Sequence, residues 1–190
     1  MKDVVFVTGN KNKAEVLSRL LQIDISHVSL HLEEIQSLNV QEIIEDKLKR
    51  AFDAVGKPVI VEDTALQFTA LSPLPGPFIK FFIEQRDGLE KTCQMLNAFE
   101  DRSAVASCTY GFYDGIDMET FTKSISGTIA SHPRGTSGFG WNALICPDGY
   151  GGRTRAELDG AEEDKVTLSI KAIHELRDFL RSKYGEKRHA

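Results

Sequence analysis

Several features that mark whole classes of protein are scarce in this sequence. The three cysteines, Cys93, Cys108 and Cys146, are odd in number and widely spaced, which argues against a disulfide framework and against a metal knuckle. The longest apolar runs, such as Val4–Val7, are far shorter than the roughly 20 residues that a membrane-spanning helix needs. We therefore expect a protein of the reducing cytoplasm that has no membrane partner.

Positively charged residues are also fewer than negatively charged ones. The 23 lysine and arginine residues are outnumbered by 28 aspartate and glutamate residues, which gives a net charge of -5. A protein that coats nucleic acid needs a basic surface to neutralise phosphates, so we expect no nucleic-acid polymer as a partner. A nucleotide enzyme remains compatible with this charge, because its site needs only a few lysines and a metal ion.

The spacing of apolar residues predicts a mixed α/β fold. A short apolar strand over Val4–Val7 precedes an amphipathic helix over Lys11–Leu21, and a second amphipathic helix over Val40–Val55 ends at Gly56. The further predicted elements are strands over Ser26–Leu32 and Val59–Val61, a helix that opens at Phe78, a helix over Gly88–Phe99, strands over Ala104–Tyr113 and Glu119–Ile129 that meet at Asp114-Gly115, and a closing helix over Val166–Tyr184.

The turn Thr8-Gly9-Asn10 joins the first strand to the first helix, and Lys13 follows one helical turn later. Backbone N–H groups at a helix start face such a turn, and Gly9 permits the close approach of a phosphate group. Thr8 and Asn10 supply hydrogen bonds, and Lys13 supplies charge. The spacing fits a phosphate-binding turn and an ordinary strand-to-helix connection equally well, and it is not the Walker pattern.

Three carboxylates offer ligands for Mg²⁺. Glu62 and Asp63 follow an apolar strand at the end where α/β proteins usually meet their ligands, and Glu34 lies upstream. Mg²⁺ takes few protein carboxylates together with substrate phosphate oxygens, and one carboxylate could deprotonate an attacking water. Any single one of these carboxylates could instead be an exposed acidic residue, and Lys47 and Lys80 could be ordinary solvated lysines.

Phe139 and Trp141 flank Gly140 in a glycine-rich segment that begins at Gly135. Aromatic rings in such a loop could stack on a nucleotide base. A lone tryptophan is more often a core residue, so this pattern alone leaves both interpretations open. The five histidines show no metal-ligand spacing, and we assign them no role.

Taken in order, these pieces resemble the inosine triphosphate pyrophosphatase family. The matching motifs are Thr8-Gly9-Asn10-x-x-Lys13, Val61-Glu62-Asp63-Thr64, Leu74-Pro75-Gly76-Pro77-Phe78-Ile79-Lys80, Phe139-Gly140-Trp141 and Pro147-Asp148-Gly149. The similarity runs from about Val4 to Leu180. Enzymes of this family convert deaminated purine triphosphates such as ITP, dITP and XTP to the monophosphate and pyrophosphate.

The resemblance implies an α/β fold with an elongated central mixed β-sheet, flanking helices, and two lobes with the active-site cleft between them. No repeat or linker divides the sequence, so we predict one such domain over residues 1–185 and a mobile tail over residues 186–190. The resemblance also implies a homodimer.

The resemblance further implies a role for each candidate residue. Asp63 would be the general base and would share the metal with Glu34, and Glu62 would lie beside it. The substrate would be contacted by Thr8, Gly9, Asn10, Lys13, Lys47, Thr64 and Lys80, with Phe139, Gly140, Trp141 and Asn142 around the base. The implied reaction is in-line attack of a Mg²⁺-activated water on the α–β phosphate linkage, and lysines such as Lys13 would stabilise the departing pyrophosphate.

Two regions depart from the family pattern. Asn142 stands where the family usually has aspartate, which exchanges a negative charge for an NH₂ donor. The family's Ser-His-Arg, which recognises the 6-oxo group of the base, becomes Thr167-Leu168-Ser169 or, in a shifted register, Ser169-Ile170-Lys171; in the first register the family's lysine becomes Glu163. Neither register restores the His-Arg pair, so we expect a weaker preference for 6-oxopurines.

The sequence therefore predicts a Mg²⁺-dependent nucleoside triphosphate pyrophosphohydrolase for deaminated or modified purine nucleotides, with relaxed or redirected base specificity. Two alternatives stay open. One is a triphosphatase that serves a different modified nucleotide. The other is a nucleotide-binding module that has lost turnover, which Glu163 favours and which the retained Glu34, Glu62 and Asp63 oppose.

Overall fold

The computed structural model describes residues 3–185, and the mobile tail predicted over residues 186–190 lies outside them. Strands and helices alternate over residues 5–68, and beyond that point strands follow strands and helices follow helices. In chain order they are β1 (Val5–Val7), α1 (Lys11–Leu21), β2 (Ser26–Val28), α2 (Val40–Val55), β3 (Val59–Phe68), β4 (Pro75–Gly76), α3 (Ile79–Ile83), α4 (Gly88–Met95), β5 (Ser103–Tyr113), β6 (Met118–Ile129), β7 (Ile145–Pro147), α5 (Gly160–Ile170) and α6 (Ile173–Tyr184).

All seven of these strands belong to one sheet. Its order is β2-β1-β3-β5-β6-β7, and the short β4 pairs with β3 beside this path. β1 is parallel to both β2 and β3, whereas β4 is antiparallel to β3 and β7 is antiparallel to β6. The sheet is therefore mixed, which confirms the predicted α/β class with a central mixed sheet and flanking helices. No helix within residues 3–185 has both the length and the apolar character to span a bilayer.

The chain divides into two compact units. The first unit consists of Met1–Asp63, Thr109–Thr122 and Ala172–Ala190, and the second consists of Thr64–Cys108 and Lys123–Lys171. β3, β5 and β6 each contribute residues to both units. The predicted single domain of two lobes, with a cleft between the lobes, stays a prediction.

The core of the first unit forms because α2 carries its apolar residues on one face. Ile44, Leu48 and Ala51 recur at helical spacing and are completely buried. They form one cluster with the strand residues Val5, Val7, Val59 and Val61. Each fully buried valine, leucine or isoleucine side chain stabilises the fold by about 1.5–3 kcal/mol, so α2 is firmly attached to β1 and β3.

Capping residues fix both ends of α2, and the C-cap is the glycine that the sequence predicts. The side chain of Asn39 accepts a hydrogen bond from the backbone of Gln41 at the helix start. Gly56 ends the helix with a φ of 66° and donates its N–H to the carbonyl of Phe52. These caps confirm the predicted boundaries of the helix.

The predicted hairpin at Asp114-Gly115 is also present, between β5 and β6. The Asp114 side chain accepts hydrogen bonds from the backbone of Ile116 and Asp117, at 3.0 and 2.8 Å, which is the usual way an aspartate closes a turn. Lys183 of α6 lies 2.8 Å from a carboxylate oxygen of Asp114 and 2.6 Å from one of Asp117. The turn is therefore tied to the last helix of the same unit.

The expectation for the last helix is wrong. A single closing helix over Val166–Tyr184 is in fact two helices, α5 and α6, separated by an extended residue at Lys171 with φ -98° and ψ 130°. The apolar spacing misled the prediction because Ile170 and Ile173 continue the helical period across the break. The start of α5 was missed as well, although Asp159 and Glu162 form a capping box there.

The strand before the carboxylates is also longer than predicted. β3 continues to Phe68, so Glu62 and Asp63 lie inside the strand and not after its end. The polar run Glu62-Asp63-Thr64 resembles a turn in the sequence. It remains extended because Ala65, Leu66 and Phe68, which follow, are buried apolar residues, and because Glu62 has a cationic neighbour.

Gly111 provides a test of how tightly α2 packs. A Cβ atom at this position would lie 2.5 Å from Cγ2 of Ile44 and 2.8 Å from Cδ1 of Leu48. We expect Gly111→Ala to lower the free energy of unfolding, measured by urea denaturation, by about 1–3 kcal/mol because of overpacking. Gly160→Ala is the matched control, since its Cβ would meet no atom of residues 3–185 within 4 Å. Equal effects of the two changes would contradict the tight packing.

Candidate functional site

The turn between β1 and α1 is held from two sides. The backbone N–H of Thr8 donates to the carbonyl of Val28 at 3.2 Å, and Nε2 of His27 lies 3.0 Å from the carbonyl oxygen of Thr8. Because a carbonyl only accepts, His27 must donate this hydrogen bond. The parallel pairing of β1 with β2 places His27 opposite Phe6. β2 therefore fixes the backbone from which the turn begins.

Within the turn, side-chain oxygens close the start of α1. Oγ1 of Thr8 accepts from the backbone of Asn10 at 3.2 Å, and Oδ1 of Asn10 accepts from the backbone of Asn12 and Lys13 at 3.0 and 3.3 Å. Asn10 is thus the N-cap of the helix. The Thr8 hydroxyl hydrogen and the Asn10 NH₂ group are the donors that the two side chains can offer to an anion.

Glu62 and Lys13 form the first charged pair of the site. The side chain of Glu62 is completely buried in β3, and its Oε1 lies 3.6 Å from Nζ of Lys13, which is 16% exposed. A buried carboxylate is costly unless a cation accompanies it. The pair therefore links β3 to the first turn of α1, where Lys13 is still partly accessible to a ligand.

Lys47 forms the second charged group, between two carboxylates. Its Nζ lies 2.7 Å from Oε1 of Glu34 and 3.3 Å from Oδ1 of Asp63, and it also donates to the backbone carbonyl of Glu62 at 3.4 Å. Lys47 follows Ile44 by one turn on the inner face of α2 and is only 7% exposed. The interpretation of Lys47 as a solvated lysine is therefore wrong.

Burial changes the acid–base behaviour of Asp63. Desolvation raises the pKa of its carboxyl above the ordinary value, and the nearby Glu34 raises it further. Lys47 and Lys13 act in the opposite direction, because they favour the ionised form. A carboxylate placed in this way can accept a proton more readily than an exposed aspartate.

Glu34 and Asp63 are the residues that could hold a divalent metal ion. Oxygens of both approach the same ammonium group, so a cation already lies between these two carboxylates. Residues 3–185 contain no cluster of three or more acidic, histidine or cysteine side chains that could enclose a metal. Two carboxylates still fit Mg²⁺, because this ion keeps several waters and completes its shell with substrate phosphates.

The aromatic segment predicted to border a base lies in the second unit. Trp141 and Asn142 are both 8% exposed, whereas Phe139 is 36% exposed. Gly140, with a φ of 62°, makes the bend between the two aromatic residues. Gly138 is required as well, because a Cβ there would lie 2.2 Å from Nδ2 of Asn142. The segment is therefore a fixed turn that presents Phe139 to solvent.

The predicted site residues thus form two groups, one in each unit. The first unit brings together Thr8, Gly9, Asn10, Lys13, Glu34, Lys47, Glu62 and Asp63. The second unit contains Phe139, Gly140, Trp141 and Asn142. Thr64 is half-buried on β3 and Lys80 is exposed on α3, and both belong to the second unit; their predicted contact with substrate stays a prediction.

Sequence reasoning missed two features of these groups. His27 received no role, although its position opposite Phe6 in a parallel pair could have indicated a contact with the turn after β1. Arg155 was not considered, yet it is a buried arginine beside Trp141. The signal that could have located its turn is Thr154 followed three residues later by Glu157, the pattern of a capping box.

Comparison with known proteins places this fold and site in a family. A family model described as the Ham1 family matches residues 4–179, and the chain belongs to this family. An inosine triphosphate pyrophosphatase of Emericella nidulans is 40% identical over 186 residues, with 95% of this chain and 97% of the relative covered. One of Yarrowia lipolytica is 41% identical over 187 residues, with coverages of 95% and 96%.

Solved structures agree with this assignment. The structure of a HAM1 protein from Coxiella burnetii superimposes with a TM-score of 0.83 at 26% sequence identity, and the match covers 96% of this chain and 100% of the other. The family resemblance deduced from the sequence motifs is therefore confirmed.

The cap at Asn10 can be tested by its effect on stability. We expect Asn10→Ala to lower the free energy of unfolding by about 1 kcal/mol, because two backbone N–H groups lose their acceptor. Asn10→Ser should restore most of the loss, since serine is also a good N-cap. Asn12→Ala is the control on the exposed side of the same turn. A loss at Asn12 as large as that at Asn10, in chemical denaturation, would contradict the capping role.

Proposed function

We propose that this protein is a Mg²⁺-dependent nucleoside triphosphate pyrophosphohydrolase that converts deaminated purine triphosphates, such as ITP, dITP and XTP, to the monophosphate and pyrophosphate. The observation that supports this most is the buried ammonium of Lys47 between Glu34 and Asp63. Asp63 follows Glu62 on β3, and Glu62 pairs with Lys13. Membership of the Ham1 family, and relatives named inosine triphosphate pyrophosphatase, support the reaction.

The turn between β1 and α1 would hold the phosphates. Backbone N–H groups at the start of α1 and the positive end of the helix dipole favour an anion there. Lys13 would place its charge on the leaving pyrophosphate, and Glu62 would keep its ammonium in position from the buried side. Lys80 and Thr64 would add further contacts to the substrate, and Phe139 with Trp141 would border the base.

Asp63 would take the proton of the attacking water. Its burial raises the pKa of the carboxyl, which makes proton transfer from water less unfavourable, while Lys47 acts in the opposite direction and favours the ionised form. A bound Mg²⁺ would neutralise phosphate charge and acidify the water. The family supports a divalent metal in general, and Mg²⁺ is the proposed ion because Glu34 and Asp63 offer oxygen ligands only.

Base preference and assembly belong to this proposal as well. Asn142, and the absence of the Ser-His-Arg sequence before α6, favour a relaxed base specificity, with a weaker preference for 6-oxopurines than the complete motif would give. The homodimer implied by the resemblance and the cytoplasmic location implied by the sequence are part of the same hypothesis. A triphosphatase for another modified nucleotide would use the same carboxylates and lysines, so only a panel of substrates separates the two.

Substrate and reaction can be tested in one experiment. We expect pyrophosphate release with Mg²⁺ from ITP, dITP or XTP, measured beside the common nucleotides and modified pyrimidine triphosphates. Asp63→Asn should lower kcat by about 10²–10⁴-fold, because asparagine cannot accept the proton. Asp53→Asn, at an exposed position of α2, is the matched control and should remain active. Binding of nucleotide without turnover by the unaltered protein would instead support a non-catalytic module.

The role of Lys47 can be tested by the pH dependence of kcat/KM. Asp63 must be ionised to act as the base, so activity falls as pH drops through its raised pKa. Lys47→Gln removes the charge that favours ionisation, which raises the pKa of Asp63 further. We therefore expect the acid limb of kcat/KM to move to higher pH, whereas Lys49→Gln on the exposed face of α2 should leave it in place. An unchanged limb in Lys47→Gln would refute the assignment.

A further inference from the structure

A buried arginine in the second unit has no part in the proposed chemistry. Arg155 lies in the short 3₁₀ turn Arg155–Glu157 between β7 and α5, and it is only 6% exposed. Its guanidinium carbon lies 5.9 Å from the centre of the Trp141 ring, within the range of a cation–π contact. A cation is therefore held next to Trp141, the buried ring of the aromatic segment.

Two side chains of α5 fix the orientation of this guanidinium. Glu163 accepts from Nε of Arg155 at 3.1 Å and also from Nη2, so the ion pair is bidentate. Thr167, one helical turn later, accepts from Nη2 at 3.0 Å and donates to Glu163 at 3.1 Å. Nη1 has no hydrogen-bond partner among residues 3–185, and 7% of the Arg155 side chain remains accessible.

Backbone contacts bind the turn of Arg155 to the aromatic segment. The N–H of Ala156 donates to the carbonyl of Asn142 at 3.1 Å, and the hydroxyl of Ser137 donates to the carbonyl of Ala156 at 2.7 Å. Gly135 allows this approach, because a Cβ there would lie 2.3 Å from the carbonyl of Ala156. Arg155 and Trp141 are therefore held in one rigid arrangement.

Stability alone is a poor explanation for this cluster. A buried ion pair loses so much hydration that well-packed apolar residues of similar volume are often as stable or more stable. Arginine presents N–H donors in a fixed plane and accepts nothing. A guanidinium with two N–H groups still uncommitted, beside an aromatic ring, has the chemistry that recognises the acceptor edge of a planar ring.

We propose that Arg155 is a specificity-determining residue that donates from Nη1 to the 6-oxo edge of a purine base held beside Trp141. The proposal rests on the proposed function, because that function brings the base to this segment. A 6-oxopurine presents two acceptors, O6 and N7, on the edge that arginine pairs with in guanine. Adenine presents an NH₂ donor at the same place, which would face the donors of Arg155. Glu163 and Thr167 are positioning residues that keep Nη1 aimed at the base.

The test compares ITP with ATP. In the unaltered protein we expect a higher kcat/KM for ITP, and in Arg155→Met we expect the ITP-to-ATP ratio to fall about 10- to 100-fold, mainly through ITP, as the loss of a hydrogen bond to a charged group implies. Arg153→Met is the matched control: it breaks another arginine–glutamate pair with α5, at an exposed position bonded to Glu162. The control should keep the ratio.

Milder changes keep the test usable if Arg155→Met fails to fold, which its melting temperature would reveal. Thr167→Val should lower the ITP-to-ATP ratio, because Nη2 loses an acceptor, whereas Thr167→Ser should preserve it. Equal losses for ITP and ATP, or an unchanged ratio in Arg155→Met and Thr167→Val, would show a purely structural cluster and overturn the inference alone. Absence of hydrolysis of every triphosphate by the unaltered protein would overturn the proposed function and this inference together.

Discussion

The buried ammonium of Lys47 is the constraint on which the first unit depends. α2 must turn its apolar face toward β1 and β3 to form the core, and Lys47 lies on that face. An uncompensated charge there would be strongly destabilising, so the chain has to bring carboxylates to it. Asp63 comes from β3, and Glu34 comes from the segment before α2. Packing and the proposed chemistry therefore require the same contacts.

The second unit also contains a buried cation that is paired with a carboxylate. Its buried cation, Arg155, is neutralised by Glu163 on a helix, and the turn that carries it is joined by backbone hydrogen bonds to the aromatic segment. In the first unit the charged groups are Lys13, Lys47 and three carboxylates beside the turn that we propose for the phosphates. In the second unit the guanidinium of Arg155 lies beside Trp141. Under the proposed function the first set of groups would serve phosphates, which require cations and helix dipoles, and the second would serve a base, which requires a ring surface and a few oriented donors.

Local signals account for what the sequence could predict. α1 and α2 were located correctly because one face of each is apolar and because Gly56 marks the end of α2. Position after strands marked the carboxylates and Lys13 as candidates, and the motifs taken together indicated the family and a role for each residue. The sequence could not reveal that Lys47 is buried, since a lysine at helical spacing from apolar residues is usually at their margin. Its burial depends on partners 13 and 16 positions away along the chain, which only the folded structure brings together.

The break between α5 and α6 shows a second limit of prediction from the sequence. No glycine or proline marks it, so periodicity alone joined two helices into one and hid the start of α5. As a result the role of Glu163 could not be judged, because its partner Arg155 lies in a turn that had not been recognised. A position that departs from a family pattern has to be read together with the residue that it contacts. Glu163 stands where the family has a lysine, and it forms an ion pair with Arg155.

The central claim is that water attacks the α-phosphorus of a nucleoside triphosphate with Asp63 as the base. The most direct test follows the oxygen atom of the attacking water into the products. Reaction with Mg²⁺ in ¹⁸O-labelled water, followed by mass spectrometry of both products, identifies the phosphorus atom that the water attacks. The account predicts that the label enters the nucleoside monophosphate, that pyrophosphate remains unlabelled, and that Asp63→Asn suppresses the incorporation. Label in orthophosphate, with a nucleoside diphosphate as the other product, would contradict it.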